Sequence, residues 1–279
     1  MSEYDAWLNQ PIETTAQLDP WPAQALSATL GRAAGPALAD DGELPCLWQW
    51  LYFLETPGHE RIDPDGHATR GDFLPPIQHP RRMFAGGRTT VHRPLRLGTK
   101  ARLTRSVVAI QEKIPGPDGM WLVTVRYHFC QEGVDCVTEE RDYVYLPARA
   151  ATRREKAAAP APEAAWQAQV VPDAVMLMRF SALTFNGHRI HYDKDYAVQE
   201  EGYPERVTHG PLTAMLLAEF ARRESGRPVV DFSFRARSPL FCNGLIHLGG
   251  DPEGDRAELT ACDALGTLAM SANVIFGFD

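Results

Sequence analysis

The sequence predicts an α+β protein built from two related halves, each a buried helix wrapped by antiparallel strands. Three observations lead there. Alternating strand patterns followed by hairpin turns occur twice. A helical candidate precedes each strand set. Between the two lies an Ala-rich, charged stretch, residues 148–165, interrupted by Pro160 and Pro162 and free of aromatic residues. That composition reads as a surface linker. The expected division is 1–147, linker 148–165, and 166–279.

In the first half, the segment from Pro45 to Glu55 holds CLWQWLYFLE, almost wholly apolar. A helix apolar all round is a buried helix, so this is the expected central helix. Thr89 to His92 has strand character and leads into a turn with Pro94, Leu95 and Gly98. Leu122 to Tyr127 alternates clearly, so a strand is expected over Trp121 to Phe129. A turn at Glu132-Gly133 then leads into a partner over Val134 to Leu146. The second half repeats the order. Its helix is expected from Pro211 to about Glu224, with Pro211 suited to a first helical position. Phe232 to Arg235 leads into a turn with Pro239, Leu240 and Gly244. Strands follow over Ala257 to Cys262 and Thr267 to Phe278, joined by Leu265-Gly266.

Bulk composition narrows the function classes. The 279 residues carry a formal net charge of -8, which argues against a nucleic-acid binder. Local Arg clusters can still meet an anionic ligand. No apolar run approaches the ~20 residues that span a bilayer. The first ten residues have neither a basic region nor an apolar stretch, so no secretory signal is expected and the expected compartment is the cytoplasm. Five cysteines, none in a CxxC pair, suggest neither a disulfide framework nor a zinc site. No glycine-rich nucleotide loop fits.

The densest chemistry lies in Phe180 to Asp193, FSALTFNGHRIHYD, followed by Thr208-His209-Gly210-Pro211. A histidine in a loop suits proton exchange near neutrality. A helix start presents unpaired N–H groups and the positive end of its dipole. Gly210, without a Cβ, lets an acyl oxygen come close to such a group. His191 is therefore the candidate base and Gly210 N–H the candidate oxyanion donor. Asn186 cannot take a proton but can hold a water. His188 is expected to face solvent or cap a neighbour. His209 is either a supporting residue or a turn residue. Asp193 either bonds loop amides or meets substrate. Phe180 and Phe185 are expected in the core.

This pattern resembles the signature of MaoC-type enoyl-thioester hydratases and dehydratases, whose fold is the hotdog. In that family an acidic residue is followed five positions later by the catalytic His and two positions after that by Asp. The resemblance puts His191 and Asp193 on the latter two, with Asn186 standing where the acidic residue is usual. It implies a double hotdog, a hydro-lyase acting on acyl-CoA, and no cofactor beyond the CoA of the substrate. The Asn-containing wording resembles the subgroup of mitochondrial-type hydroxyacyl-thioester dehydratases and the mesaconyl-CoA and itaconyl-CoA hydratases.

Pro80 to Arg88, PRRMFAGGR, resembles the same subgroup. Arg81 and Arg82 beside glycines suit an anion held by fork-shaped hydrogen bonds, or else form a solvated turn. The basic run Arg93, Arg96, Lys100, Arg102 and Arg105 either meets CoA phosphates or is one wet face of a sheet. The expected activity is enoyl-CoA hydration, with itaconyl-CoA or mesaconyl-CoA going to citramalyl-CoA. The substrate-binding candidates are Arg81, Arg82, Asp193 and His209. The alternatives are a 3-hydroxyacyl-thioester dehydratase and a non-catalytic acyl-thioester binder. Partners are expected to be an acyl-CoA and another copy of the chain, with no nucleic acid, membrane or metal.

Overall fold

Alternation in the strands sets the architecture. In the segment over Met120–Gln131, Val123, Val125, Tyr127 and Phe129 are buried at every second position. Met270, Ala272, Val274 and Phe276 do the same over Leu268–Phe276. The computed structural model describes residues 3–31, 38–114, 116, 119–147 and 163–277. The expected linker at 148–165 lies outside the described residues except for its last three positions.

Ten strands form one antiparallel sheet. From the first half come β1 (Ile12–Gln17), β2 (Arg81–Val91), β3 (Lys100–Ile114), β4 (Met120–Gln131) and β5 (Val134–Leu146). From the second come β6 (Trp166–Val170), β7 (Val229–Ala236), β8 (Ile246–Glu253), β9 (Arg256–Cys262) and β10 (Leu268–Phe276). Their order across the sheet is β1-β3-β4-β5-β2-β7-β10-β9-β8-β6, so the halves meet where β2 pairs with β7. Gly86 lies opposite Arg235 at this seam, and a Cβ there would sit 2.5 Å from the Phe234 carbonyl oxygen. The glycines of PRRMFAGG thus serve strand pairing. Arg81 and Arg82 open β2 itself, where a position ahead of the first strand was expected.

The second half keeps the expected helix. α3 (Gly210–Ser225) is buried continuously from Leu212 to Ala221 and packs on β7, β8, β9 and β10. The first half does not. Its predicted helix from Pro45 to Glu55 is a single 3-10 turn, Trp48–Leu51. Leu47 and Phe53 on either side take left-handed backbone, with φ of 74° and 57°. Non-glycine residues hold that conformation only where their surroundings impose it. The surroundings here are two buried carboxylates. Trp48 Nε1 donates to Glu219 on α3 at 2.9 Å, and Trp50 Nε1 donates to Glu139 on β5 at 2.5 Å. Gln49 Nε2 also donates to Glu139, at 3.2 Å. A regular helix would turn Trp48 and Trp50 about 200° apart. The tight turn lets each indole reach its own carboxylate.

Arg141 completes the cluster, donating to both Glu139 oxygens at 2.6 and 3.1 Å. Burial works against its charge, but Glu139 outweighs burial and raises its pKa. Arg222 donates to Glu219 Oε2 through Nε and Nη2 at 3.1 and 2.7 Å, the other oxygen being the one Trp48 reaches. The helix that the first half does form is α1 (Pro20–Leu30), overlooked in the sequence although its signals are present. Asp19 caps it by accepting from Trp21 N, two prolines sit in its first turn, and Gly31 follows its end. It packs against α2 (Ala174–Leu183).

The five cysteines are free and buried. No helix among the described residues is long and apolar enough to cross a membrane.

Removing Glu139 strands a buried guanidinium and two donors, a loss of about 3–5 kcal/mol. Glu139→Ala is therefore expected to lower the urea midpoint strongly, whereas the surface change Glu253→Ala leaves it nearly unchanged.

Candidate active site

The loop after α2 is shaped by short-range bonds. Asp173 caps α2 through Met176 N at 2.8 Å. The chain leaves the helix at Phe185, in left-handed backbone with φ 48°. Phe185 is 59% exposed, so it does not join the core as expected, whereas Phe180 does. Asn186 N donates to Ser181 O at 2.9 Å, and Asn186 Oδ1 accepts from His188 N at 3.0 Å. This turn delivers Arg189–His191 as a short 3-10 segment. Asp193 ends it, accepting from Tyr196 N at 3.0 Å and pairing with Arg189 at 2.7 Å.

A first-half loop closes over this turn. Arg189 N donates to Asp65 O at 2.8 Å, and Arg189 Nη1 to Pro64 O at 3.1 Å. Gly66 and Gly187 meet backbone to backbone. A Cβ on Gly66 would enter the Gly187 carbonyl oxygen, and one on Gly187 would come within 2.8 Å of the Gly66 oxygen. Gly66 also has φ +92°, a value L side chains rarely adopt.

Together these segments wall a cavity of about 590 Å³. Of the sequence candidates, Arg81, Arg82, Asn186, His191 and Gly210 line it. His188 lines it too, where solvent or a capping role was expected. Asp193 and His209, expected among the substrate-binding residues, are not in its wall. Asp193 is spent on Arg189 and the Tyr196 amide. His209 lies behind His191, fully buried, with ring centroids 3.7 Å apart and planes 19° from parallel. Asp65, His67, Glu201 and Tyr203 join the wall without having been anticipated. Asp65-Gly66-His67 is the signal available in the sequence, two titratable groups around a turn glycine.

His191 Nδ1 donates to Val207 O at 2.7 Å, which leaves Nε2 as the acceptor of the neutral ring. Burial first, and then the neighbouring His67, lower its pKa to about 4, against the partial support of the Val207 carbonyl. The ring is neutral at physiological pH. Behind it, His209 Nε2 is 2.8 Å from Ser181 Oγ, and burial pushes its pKa well down. Gly210 is the first residue of α3, so its N–H has no partner within the helix. The nearest atom to a Cβ at Gly210 would be Phe84 Cδ1 at 3.6 Å, so a side chain would occupy space facing the cavity.

The two arginines differ. Arg81 is engaged by Glu201 at 3.4 Å and by the Tyr203 hydroxyl at 3.0 Å. Arg82 has no carboxylate within ion-pair distance among the described residues, yet its charge helps lower the pKa of His67, after burial. The basic run from Arg93 to Arg105 does not reach this cavity. Arg93, Arg96, Lys100 and Arg102 are exposed, and Arg105 pairs with Glu55 over the ring of Phe73.

The resemblance to the MaoC-type hydratases and dehydratases and their mitochondrial-type subgroup is borne out by comparison. A family model described as hydroxyacyl-thioester dehydratase type 2 matches residues 47–242. The chain is 43% identical to a mesaconyl-C(4)-CoA hydratase of Chloroflexus aurantiacus, over 99% of both chains. A MaoC-like dehydratase of Phytophthora capsici superposes with a TM-score of 0.74 at 12% identity, over 100% of each chain. A Mycobacterium tuberculosis protein described as having a double hotdog fold gives 0.57 at 14% identity, over 97% of this chain and 96% of that one.

A histidine that stays neutral when folded lowers stability in acid. Below its ordinary value of 6.5 the unfolded chain takes up a proton that the folded chain refuses until about pH 4. The buried His191 accounts for roughly 3 kcal/mol across that window. His191→Gln is expected to flatten the fall in urea midpoint between pH 7 and pH 4.5. With the family model covering most of the length and the full-length relative beside it, this chain belongs to the hydroxyacyl-thioester dehydratase type 2 family of hydro-lyases, with the double hotdog fold.

Proposed function

We propose that the chain hydrates a short enoyl-CoA carrying a second carboxylate, mesaconyl-C4-CoA or itaconyl-CoA, to give citramalyl-CoA. The observation that carries this reading is Arg82, a cation in the wall of the cavity with no carboxylate partner among the described residues. A substrate carboxylate buried there needs a charged partner, because an unpaired buried charge is strongly disfavoured. The likeness to a mesaconyl-C(4)-CoA hydratase supports the same substrate class.

In this reading, written for mesaconyl-C4-CoA, whose C=C is conjugated with the thioester, His191 Nε2 takes a proton from water as the water oxygen bonds to the β-carbon. The C=C electron pair moves onto the thioester oxygen, which meets the Gly210 N–H at the start of α3. The α-carbon then takes the proton back from His191, and the site is reset. Asn186 holds the water, Arg82 holds the distal carboxylate, and no cofactor is used beyond the CoA of the substrate. Asp193 and His209 act from outside the cavity, the first by fixing the loop and the second by backing His191. The enzyme serves itaconate or mesaconate breakdown in the cytoplasm. Self-association belongs to the same reading, and Val175 and Met178 are apolar and exposed on α2.

His191→Ala is expected to lower turnover by roughly 10²–10⁴-fold. Arg82→Ala is expected to reduce kcat/KM for mesaconyl-C4-CoA by about 10- to 150-fold while sparing crotonyl-CoA. Enoyl-thioester absorbance follows both. Equal losses on the two substrates would withdraw the dicarboxylate assignment.

A further inference from the structure

The cavity contains a second acceptor pair that neither the family pattern nor the loop spacing brings to attention. His67 Nδ1 lies 2.9 Å from Asp65 Oδ2. Asp65 Oδ1 also accepts from His67 N at 2.8 Å, so the carboxylate grips both the ring and the backbone of the same residue. The segment is further closed on itself by Asp63 N to His67 O at 2.7 Å and Gly66 N to Asp63 O at 2.8 Å. It is then fastened to the catalytic turn by Arg189 and by the Gly66–Gly187 contact. Both Asp65 and His67 line the cavity together with His191 and Asn186.

The rings connect in space. His67 and His188 have centroids 4.0 Å apart, and His188 meets His191 edge to face at 5.5 Å. Burial raises the pKa of Asp65, but the hydrogen bond and charge of His67 overcome this and hold the carboxyl below its usual range. An ionised Asp65 can only accept, so His67 Nδ1 must donate to it. His67 Nε2 is then a lone pair on a ring that cannot turn. A carboxylate that fixes the tautomer of a working histidine in this way is a familiar catalytic arrangement.

This chain also lacks a second acceptor at the position where the wider MaoC-type pattern has an acidic residue. Asn186 stands at the acidic position, and its side-chain oxygen is occupied by the His188 amide. A water being activated by His191 has two O–H bonds, and only one goes to His191. We propose that His67, held by Asp65, accepts the second O–H of the reacting water and so replaces the missing acid at position 186. His67 touches the reacting atoms and Asp65 positions it. No net proton is moved by the pair. The proton exchanged with the substrate remains the one carried by His191, so atoms and charges balance as in the hydration above. The inference rests on that hydration reading.

The test uses purified full-length protein with mesaconyl-C4-CoA and crotonyl-CoA. Wild-type turnover of at least one of them is the control for the hydration reading. Its absence on both removes that reading and this one together. Given turnover, His67→Ala is expected to lower kcat by roughly 10- to 100-fold with little change in KM, less than the 10²–10⁴-fold reach of a full proton acceptor. His67→Gln, which keeps an acceptor, is expected to retain more activity than His67→Ala. Asp65→Asn is expected to fall between wild type and His67→Ala. Adding Asn186→Asp to His67→Ala is expected to recover part of the loss, which a purely structural role for His67 would not allow. If His67→Ala fails to fold, His67→Gln and Asp65→Asn decide. His67→Ala within twofold of wild type overturns the inference while leaving His191 in place. Loss of wild-type turnover on chelation, restored by zinc, also overturns it. In that case Asp65, His67 and His188, whose ligand atoms lie within 4.8 Å of one another, would be holding a metal.

Discussion

The Trp48-Gln49-Trp50 turn is the interaction on which the rest of the molecule depends. It ties Glu139 in the first half of the sheet to Glu219 on the helix of the second. Each carboxylate is almost completely shielded, and each is completed by an arginine. Charges so buried tolerate no missing partner. The turn therefore has one geometry, and it places Trp50 edge-on to Phe84, the residue beside the start of α3. The floor of the cavity and the start of α3 at Gly210, the proposed oxyanion position, share this support. A first-half helix would fill the same space with a regular cylinder, and neither indole would reach its acid.

The cavity is electrostatically biased by its histidines. His67, His188 and His191 line it and His209 stands behind, and burial lowers the pKa of all four. After burial, His67 and His191 also discourage a proton on His188, and His191 and His188 discourage one on His209. Neutral rings in a buried, positively biased wall suit a reaction in which charge moves onto a thioester oxygen, because no preformed imidazolium competes for the incoming water. Arg82 and Arg81 supply the positive bias, and Glu201 balances only the latter.

Much of this was legible in the sequence, for local reasons. Asn186, His191 and Gly210 lie in one loop and the helix start that follows, so their spacing alone brings them together. The strands β4 and β10 announce themselves by alternation, and β5 and β9 as their hairpin partners across Glu132-Gly133 and Leu265-Gly266. What was not legible depended on distant partners. The apolar run from Pro45 to Glu55 reads as a helix until Glu139 and Glu219 are seen competing for its indoles. Arg81 and Arg82 read as an anion site or a solvated turn ahead of the strand, yet they open β2, where Gly86 meets the backbone of β7 and Gly87 that of β5. Asp65 and His67 belong to a different half from the loop that carries Asn186 and His191, and no periodicity links them to it. α1 was the exception, since Asp19, Pro20 and Gly31 mark it locally and were passed over in favour of the more apolar segment.

The contact between Gly66 and Gly187 has a consequence for how such a site can change over generations. Each glycine is hemmed in by the other's backbone oxygen, not by a side chain. A larger residue at one cannot be accommodated by shrinking the other, since the other is already the smallest there is. The pair is thus irreversible in the mutational sense: both positions are closed to drift independently, and no compensating exchange exists between them. Loops joined by side chains can trade partners and diverge. These two can only move as one piece of backbone, so variation in substrate choice must be written elsewhere in the wall, at positions such as Arg82, Phe84 and Tyr203.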